Sequence, residues 1–170
     1  MDTSTAPVAG GTDMSSALIS IPTIQDICSV DEEYVRKPIL AADFFSRNLL
    51  KISHSRSDGH CILYSFSTTT GLSVEEIKQR IVDEFLLNRF AYEGFGVNED
   101  DLYRYLACNQ FQLQSVDNVV NILANSSNIT VIVVEESEQR GYTDFKIIRP
   151  QSRQSERTIF LYRRAAHYDA

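Results

Sequence analysis

The hydrophobic positions in the first two thirds of the chain repeat at helical spacing. Between Ser73 and about Phe90, apolar residues recur every three or four positions behind a Ser-x-x-Glu capping box. This combination predicts an amphipathic helix. The same reasoning predicts four further helices: one that Pro38 opens, one from Cys61 to a stop at Gly71, one capped by Asn98 and one capped by Ser115.

The pattern changes to strands after Asn128. The run from Ile129 to Val134 is β-branched and almost continuously apolar, which is typical of a central strand buried on both faces. Two more strands are predicted at residues 145–148 and 158–162, and a last short strand starts at His167. Helices followed by strands indicate an α+β fold, in which the helices pack on a sheet built mostly from the C-terminal half.

Charge is distributed unevenly along the chain. The formal net charge is −7, and six acidic residues but no Lys or Arg precede Arg36. The rest of the chain is nearly neutral, with 16 basic and 17 acidic residues. We therefore predict an acidic N-terminal leader at residues 1–37, flexible at least to about residue 16, and a domain at residues 38–170. The apolar positions between residues 17 and 35 either pack on this domain or dock elsewhere.

Composition excludes several classes of protein. A hydrophobic content of 43% excludes a wholly disordered chain. No apolar run approaches the roughly 20 residues of a membrane-spanning helix, and the acidic balance argues against a general nucleic-acid binder. No signal peptide is visible, and three cysteines are too few for a disulfide framework. We therefore expect a monomeric, intracellular protein of the cytoplasm, without a membrane or nucleic-acid partner.

Cys61 is the strongest candidate for a reactive group. It follows Asp58 and Gly59 at the predicted start of a helix. A helix N-terminus lowers the pKa of a thiol and so raises its thiolate fraction. Gly59 would let the backbone turn tightly and expose amide groups beside the sulfur, where they could stabilise a developing oxyanion.

A nucleophilic cysteine also needs a base, and the chain has three histidines, His54, His60 and His167. His60 adjoins Cys61, and neighbouring side chains usually diverge, whereas His54 lies in a polar stretch. His167 lies in a predicted strand, so Asp169, two residues later, shares its face and can orient its ring. Spacing alone leaves two interpretations open: a Cys–His–acid hydrolase, or a buried structural cysteine with a structural histidine.

Other roles for the cysteines find less support. Zinc binding by His60, Cys61 and His167 would lack a fourth ligand and the usual spacing. Cys28 and Cys108 belong to no motif. We interpret Cys28 as incidental and Cys108 as a helix-packing residue or a surface thiol.

Two segments near the ends of the predicted domain carry specific motifs. Residues 57–66 read SDGHCILYSF, and the predicted strand at residues 158–162 is followed by His-Tyr-Asp at residues 167–169. These resemble the Asp-Gly-x-Cys box, the closing strand and the His-Tyr-Asp/Asn box of the ovarian tumour (OTU) family of cysteine peptidases. The segment at residues 123–133 resembles the central helix-to-strand segment of viral and transposon-encoded members. The resemblance extends from about Ile39 to Ala170.

The resemblance implies a fold, an activity and a set of site residues. The fold is a papain-related cysteine peptidase fold, with a central, mostly antiparallel sheet flanked by helices. The activity is hydrolysis of the isopeptide bond between the C-terminus of ubiquitin and a lysine, without a metal or organic cofactor. The implied site comprises the nucleophile Cys61, the general base His167, the orienting residue Asp169, and an oxyanion hole shaped by Asp58 and the backbone of Gly59, His60 and Cys61.

Ubiquitin or polyubiquitin, or a ubiquitin-like protein, is therefore the expected partner. The acidic residues Glu99, Asp100 and Asp101 would suit the basic residues around its contact surface, although we favour compensation of a helix dipole as their explanation. Two alternatives stay open on the same fold. One is a cysteine protease that processes a viral or transposon polyprotein, and the other is a non-catalytic ubiquitin-binding module.

Overall fold

The structure, a computed structural model, describes residues 21–108, 116–137, 141–152 and 154–170. Within these ranges the helices are α1 (Ile24–Cys28), α2 (Ala41–Arg47), α3 (Cys61–Thr70), α4 (Val74–Leu87), α5 (Arg89–Gly94), α6 (Glu99–Ala107) and α7 (Val116–Ser127). The strands are β1 (Tyr34–Lys37), β2 (Ile129–Glu136), β3 (Thr143–Ile148), β4 (Arg157–Arg164) and β5 (His167–Asp169).

These strands form one mixed sheet in the order β1-β3-β2-β4-β5. β2 pairs with β4 in parallel, and the other three neighbouring pairs are antiparallel. The α+β class and the mostly antiparallel central sheet flanked by helices are therefore confirmed. Four of the five strands come from the C-terminal half, as predicted.

The central strand β2 separates two hydrophobic cores. Because successive side chains of a strand point to opposite faces, Val131 and Val133 join a core built with α3, α4, α6 and α7. Ile132 and Val134 join a second core on the other face, with α1 and α2. This two-sided burial explains the nearly continuous apolar run that identified the strand in the sequence.

Most predicted helix ends agree with the structure. The Ser73 hydroxyl accepts a hydrogen bond from the Glu76 amide, and the Glu76 carboxylate accepts one from the Ser73 amide, which is the predicted capping box. Asn98 caps α6 through the Asp101 amide. α3 ends at Gly71, whose φ of 78° lies in the left-handed region. The predicted cap Ser115 lies outside the described residues.

The long helix predicted from Ser73 to about Phe90 is divided in two. α4 ends at Leu87, and α5 begins at Arg89. Between them, Asn88 adopts φ −121° and ψ 33°, and its side chain donates a hydrogen bond to the Glu84 carboxylate. Periodicity missed this break because apolar residues continue across it. The helix predicted from Pro38 begins three residues later, at Ala41.

Residues 24–37 pack on the domain, which was one of the two alternatives for the apolar positions before Arg36. Ile27 of α1 and Val35 of β1 lie in the second core beside Phe44. β1 pairs with β3, and Arg36 binds the buried carboxylate of Asp144 at 2.8 Å. The predicted boundary between residues 37 and 38 thus directly follows a strand of the sheet. The predicted flexibility up to residue 16 concerns residues outside the described ranges.

No helix in the described part of the chain is long and apolar enough to cross a membrane.

α2 ends in a Schellman motif that carries leucine where glycine is usual. The Leu50 amide donates to the Phe45 carbonyl, and the Leu49 amide donates to the Ser46 carbonyl. Leu49 therefore has φ 56°, in the left-handed region, and its side chain is 93% exposed. A left-handed conformation costs an L-residue roughly 1–2 kcal/mol, and the exposed side chain offsets little of this by packing.

We expect Leu49→Gly to stabilise the protein. Glycine removes the steric cost of the left-handed conformation, but it also increases the conformational entropy of the unfolded chain. The net increase in the free energy of unfolding is therefore roughly 0.5–1 kcal/mol. Thermal unfolding should show a Tm raised by about 1–4 °C. Leu87→Gly is the matched control. Leu87 is also exposed, but it is the last residue of α4 and has a helical backbone, where glycine is unfavourable, so this substitution should lower Tm. A lower Tm for Leu49→Gly would contradict the prediction.

Candidate active site

The start of α3 and the turn between β4 and β5 line one open cleft. Cys61 lines it together with the turn of residues 57–59, and His167 lines it together with Ala165 and Ala166. Cys61 is the first residue of α3 and is only 1% exposed. The fold thus brings the predicted nucleophile and the predicted base to the same cleft, although 105 residues separate them in sequence.

The turn before Cys61 is held by Asp58. Its carboxylate accepts a hydrogen bond from the His60 amide at 2.9 Å, and its carbonyl accepts one from the Cys61 amide at 3.3 Å. The His60 ring turns away from the cleft, because its Nε2 donates to the Tyr105 carbonyl at 2.5 Å inside the core. Of the amides predicted to form an oxyanion hole, that of His60 is therefore occupied by Asp58 in this structure.

His167 and Asp169 interact as their spacing in a strand predicts. His167 Nε2 donates to Asp169 Oδ1 at 3.0 Å. This contact leaves Nδ1 as the ring nitrogen able to accept a proton. β5 also contacts the predicted nucleophile directly, since the backbone of Tyr168 hydrogen-bonds the Cys61 thiol.

The Asp169 carboxylate has three further donors that the sequence did not reveal. The Ser55 amide donates to Oδ1 at 2.9 Å, Arg164 Nη2 contacts Oδ2 at 3.1 Å, and His54 Nδ1 contacts Oδ2 at 3.3 Å. Burial alone would raise the pKa of Asp169, but the hydrogen bonds from Ser55, His167 and His54 outweigh it and hold the pKa below its ordinary value. Asp169 is therefore ionised at neutral pH and keeps the proton of His167 on Nε2.

Cys61 differs from the expectation that a helix N-terminus lowers its pKa. Burial raises the pKa of the thiol, and the Asp58 carboxylate adds to the rise. Hydrogen bonds from the backbone of Tyr168, Ile62 and Cys61 itself oppose this change without cancelling it. The free protein therefore holds a neutral thiol at neutral pH, and its activation requires transfer of the proton to a base. A histidine with a bare Nδ1 in the same cleft fits this role.

The remaining candidates lie apart from this site. Cys28 is half-buried, with its sulfur 3.9 Å from Thr158 Oγ1, and Cys108 is exposed. Among the described residues, no group of three or more His, Cys, Asp or Glu side chains could hold a metal ion. The zinc alternative is not favoured, because the His60 ring bonds the Tyr105 carbonyl.

The predicted acidic segment also lies outside the Cys61 cleft. Glu99 and Asp100 line a separate polar depression next to Arg89. Glu99 forms an ion pair with Arg89, and Asp101 forms one with Arg104 at 3.5 Å. These acidic residues lie in the first turn of α6, and Glu99 and Asp101 pair with nearby arginines. Both features explain their presence without a binding partner protein.

We expect Asp169 to make stability depend on pH in the acid range. A carboxyl group whose pKa is lower in the folded state adds stability that is complete above its unfolded pKa of about 3.9. This contribution is lost as the pH falls through the folded pKa. Urea unfolding between pH 2 and 6 should show a steeper loss of the free energy of unfolding for the wild type than for Asp169→Asn. Equal slopes would contradict the prediction.

We also expect alkylation of Cys61 to require alkaline pH in the free protein. Because the pKa of the thiol is raised, the rate of reaction with iodoacetamide should rise with a midpoint above about 8.5, the ordinary value for cysteine. The measurement uses a Cys28→Ser, Cys108→Ser background, so that only Cys61 reacts, and mass spectrometry reports the rate. A midpoint below 7 would show that the resting site holds a thiolate.

Comparison with solved structures places this geometry in a known fold. No family model and no curated protein matches the sequence. The OTU domain of human OTUD1 superposes with a TM-score of 0.57 at 12% identity, covering 70% of this chain and 83% of that domain. The viral OTU domain proteases of Taggert virus and Farallon virus align with TM-scores of 0.49 and 0.46 at 22% and 15% identity. They cover 70% and 71% of this chain, and 76% and 82% of their own. On the OTUD1 comparison, the chain has the OTU fold that its sequence motifs predicted.

Proposed function

We propose that this protein is a thiol-dependent deubiquitinase that hydrolyses isopeptide bonds at the C-terminus of ubiquitin. The observation that carries the proposal is that Cys61 and His167 line one cleft, with Asp169 bound to the His167 ring nitrogen that does not serve as the base. The OTU fold and the OTU-like motifs support ubiquitin as the substrate.

The first half of the reaction transfers an acyl group to Cys61. His167 Nδ1 takes the thiol proton while the sulfur attacks the carbonyl carbon of the terminal glycine of ubiquitin. The tetrahedral intermediate collapses as His167 returns this proton to the nitrogen of the leaving lysine. The carbon–nitrogen bond breaks, a free lysine amine departs, and ubiquitin remains attached to Cys61 as a thioester.

The second half releases ubiquitin. His167 removes a proton from a water molecule, whose oxygen attacks the thioester carbonyl carbon. The sulfur then leaves, and the proton returns to it through His167. Ubiquitin departs with a free C-terminal carboxyl group, which releases its remaining proton to solvent and becomes a carboxylate. Throughout both halves, the ionised Asp169 keeps the proton on His167 Nε2 and stabilises the imidazolium that forms.

Asp58 supports this chemistry by bracing the turn before the nucleophile. Its two hydrogen bonds, to the His60 and Cys61 amides, fix the backbone of residues 58–61. Because the His60 amide is held by the carboxylate, we assign oxyanion stabilisation to the backbone amides of Gly59 and Cys61. Exchange of the 3.3 Å contact between the Cys61 amide and the Asp58 carbonyl for a contact to the oxyanion would cost little, because that bond is long.

A reducing compartment suits this chemistry, and we place the activity in the cytoplasm. Cys28, Cys61 and Cys108 are all free thiols. Catalysis by the proposed triad needs no metal or organic cofactor. One catalytic cleft formed within a single chain is consistent with a monomer.

Ubiquitin carrying a C-terminal electrophile tests the proposal. We expect it to label the wild type covalently, because the electrophile occupies the position of the scissile carbonyl. Cys61→Ala should abolish labelling, and Cys108→Ala, which removes an exposed thiol outside the cleft, should leave it unchanged. His167→Ala should lower kcat for di-ubiquitin about 10²–10⁴-fold, the usual contribution of a general base.

Other outcomes discriminate between the remaining functions. Labelling that persists in Cys61→Ala, or that never occurs with the wild type, refutes the proposed enzyme. Binding of plain ubiquitin without turnover of any di-ubiquitin would identify a binding module instead. Cleavage of ordinary peptide bonds in a polyprotein segment, with no action on di-ubiquitin, would identify a processing protease.

A further inference from the structure

We propose that His54 is a positioning residue of this active site, which holds the Asp169 carboxylate in the orientation that directs it at His167. The inference rests on the proposed thiol hydrolase activity and extends it to a residue outside the OTU-like motifs of the sequence. His54 is not among the residues that line the cleft, and it contacts Asp169 Oδ2 while the His167 ring contacts Oδ1, so it acts through the carboxylate.

The carboxylate of Asp169 is saturated with donors. Oδ1 accepts from the His167 ring at 3.0 Å and from the Ser55 amide at 2.9 Å, and Oδ2 contacts Arg164 at 3.1 Å and His54 at 3.3 Å. A carboxylate offers about four lone-pair sites, so each is used, and the group is only 1% exposed to water. Any rotation of the carboxylate away from His167 must therefore break several of these bonds at once.

His54 and Arg164 do not contribute equally to holding Oδ2. The Arg164 side chain is long, 55% exposed, and lines the cleft that the substrate must enter. Its guanidinium also lies over the Tyr162 ring, at 5.6 Å from the ring centroid. The imidazole of His54 has only two rotatable bonds and approaches Oδ2 from outside the cleft. It therefore keeps its contact with Asp169 when a substrate engages Arg164.

The backbone on both sides of His54 is fixed to β5. The Ser53 amide donates to the Ala170 carbonyl at 2.7 Å, and the Ala170 amide donates to the Ser53 carbonyl at 3.0 Å. On the other side, the Ser55 amide donates to Asp169 itself. His54 is thus held between two residues that bond directly to the end of β5, and the reach of its ring to Asp169 follows from this backbone geometry.

The same segment is joined to the helix of the nucleophile. The hydroxyl groups of Ser55 and Ser65 lie 2.6 Å apart, and the Ser65 hydroxyl donates to the Tyr168 carbonyl at 3.0 Å. Ser65 lies on α3, one helical turn after Cys61. Residues 53–55 therefore link the helix that carries the nucleophile to the strand that carries the base.

Because His54 is exposed, its effect on activity can be measured separately from any effect on stability. Its side chain is 71% exposed, so its loss leaves no cavity and removes little buried area. An exposed charged or polar contact contributes little to stability. Its effect on the reaction is larger, because a catalytic group must be held within about 0.5 Å of its productive geometry by the groups that support it.

Two substitutions at residue 54 test the proposal. In asparagine, the side-chain Nδ2 occupies nearly the position of histidine Nδ1, so His54→Asn can still donate to Asp169 Oδ2. Leucine has a similar size and no donor. We expect His54→Leu to lower kcat for di-ubiquitin roughly 10-fold, with KM changed less than about 2-fold, and His54→Asn to recover most of kcat. Lys51→Leu, an exposed change three residues earlier, should match the wild type.

The outcomes distinguish failure of this inference from failure of the proposed function. A wild type that neither reacts with the ubiquitin electrophile nor cleaves di-ubiquitin refutes the function. An active wild type with unchanged kcat in His54→Leu overturns the inference. An equal loss of kcat in His54→Asn and His54→Leu also overturns the inference, because the loss would then not depend on a donor to Asp169. A loss of kcat that parallels a lowered Tm overturns it too, because the loss would then come from reduced stability.

Discussion

One buried carboxylate connects the elements of this site. Asp169 is buried, and its carboxylate contacts the His167 ring, the Ser55 amide, the His54 ring and Arg164. A buried charge is tolerated only when hydrogen bonds replace the lost water. That requirement forces β5, the β4–β5 turn and residues 53–55 to converge on one point. The arrangement of the proposed catalytic residues thus follows from the hydrogen bonds that the buried Asp169 carboxylate requires.

The sheet and α3 make this convergence possible. β5 is the edge strand, held to β4 by pairing and to residues 53–55 through Ala170. α3 packs behind it, with Ser65 hydrogen-bonded to the backbone of Tyr168 and the Cys61 thiol at its first turn. α3 therefore carries both Cys61 and the Ser65 hydroxyl that bonds β5. A shift of β5 relative to α3 would break the bond to Ser65 and change the distance between His167 and Cys61.

The sequence predicted features that local chemistry determines. The caps at Ser73 and Asn98, the stop at Gly71 and the buried strand from Ile129 each depend on a few neighbouring residues, and all are present in the structure. The contact of His167 with Asp169 follows from the alternation of a strand. Short elements were missed: β1 has four residues, of which only Val35 is buried, so it carries no visible period.

The rest of the site depends on contacts between distant parts of the chain, which a single sequence does not display. His54 meets Asp169 across 115 positions, and its polar neighbours gave no hint of that contact. The raised pKa of Cys61 has the same origin: the helix start was predicted correctly, but the depth at which the core buries it was not. The left-handed Leu49 was missed because leucine is a poor indicator of such a backbone.

The burial of Cys61 also bears on how the protein withstands oxidants. Peroxides attack the thiolate form of cysteine, and oxidation beyond the sulfenic acid is essentially irreversible. A nucleophile kept as a neutral thiol between reactions is a poor target for them. In the proposed mechanism, the Cys61 thiolate forms only while His167 holds the proton. The burial that raises the pKa of Cys61 would then also protect this proposed nucleophile from oxidation.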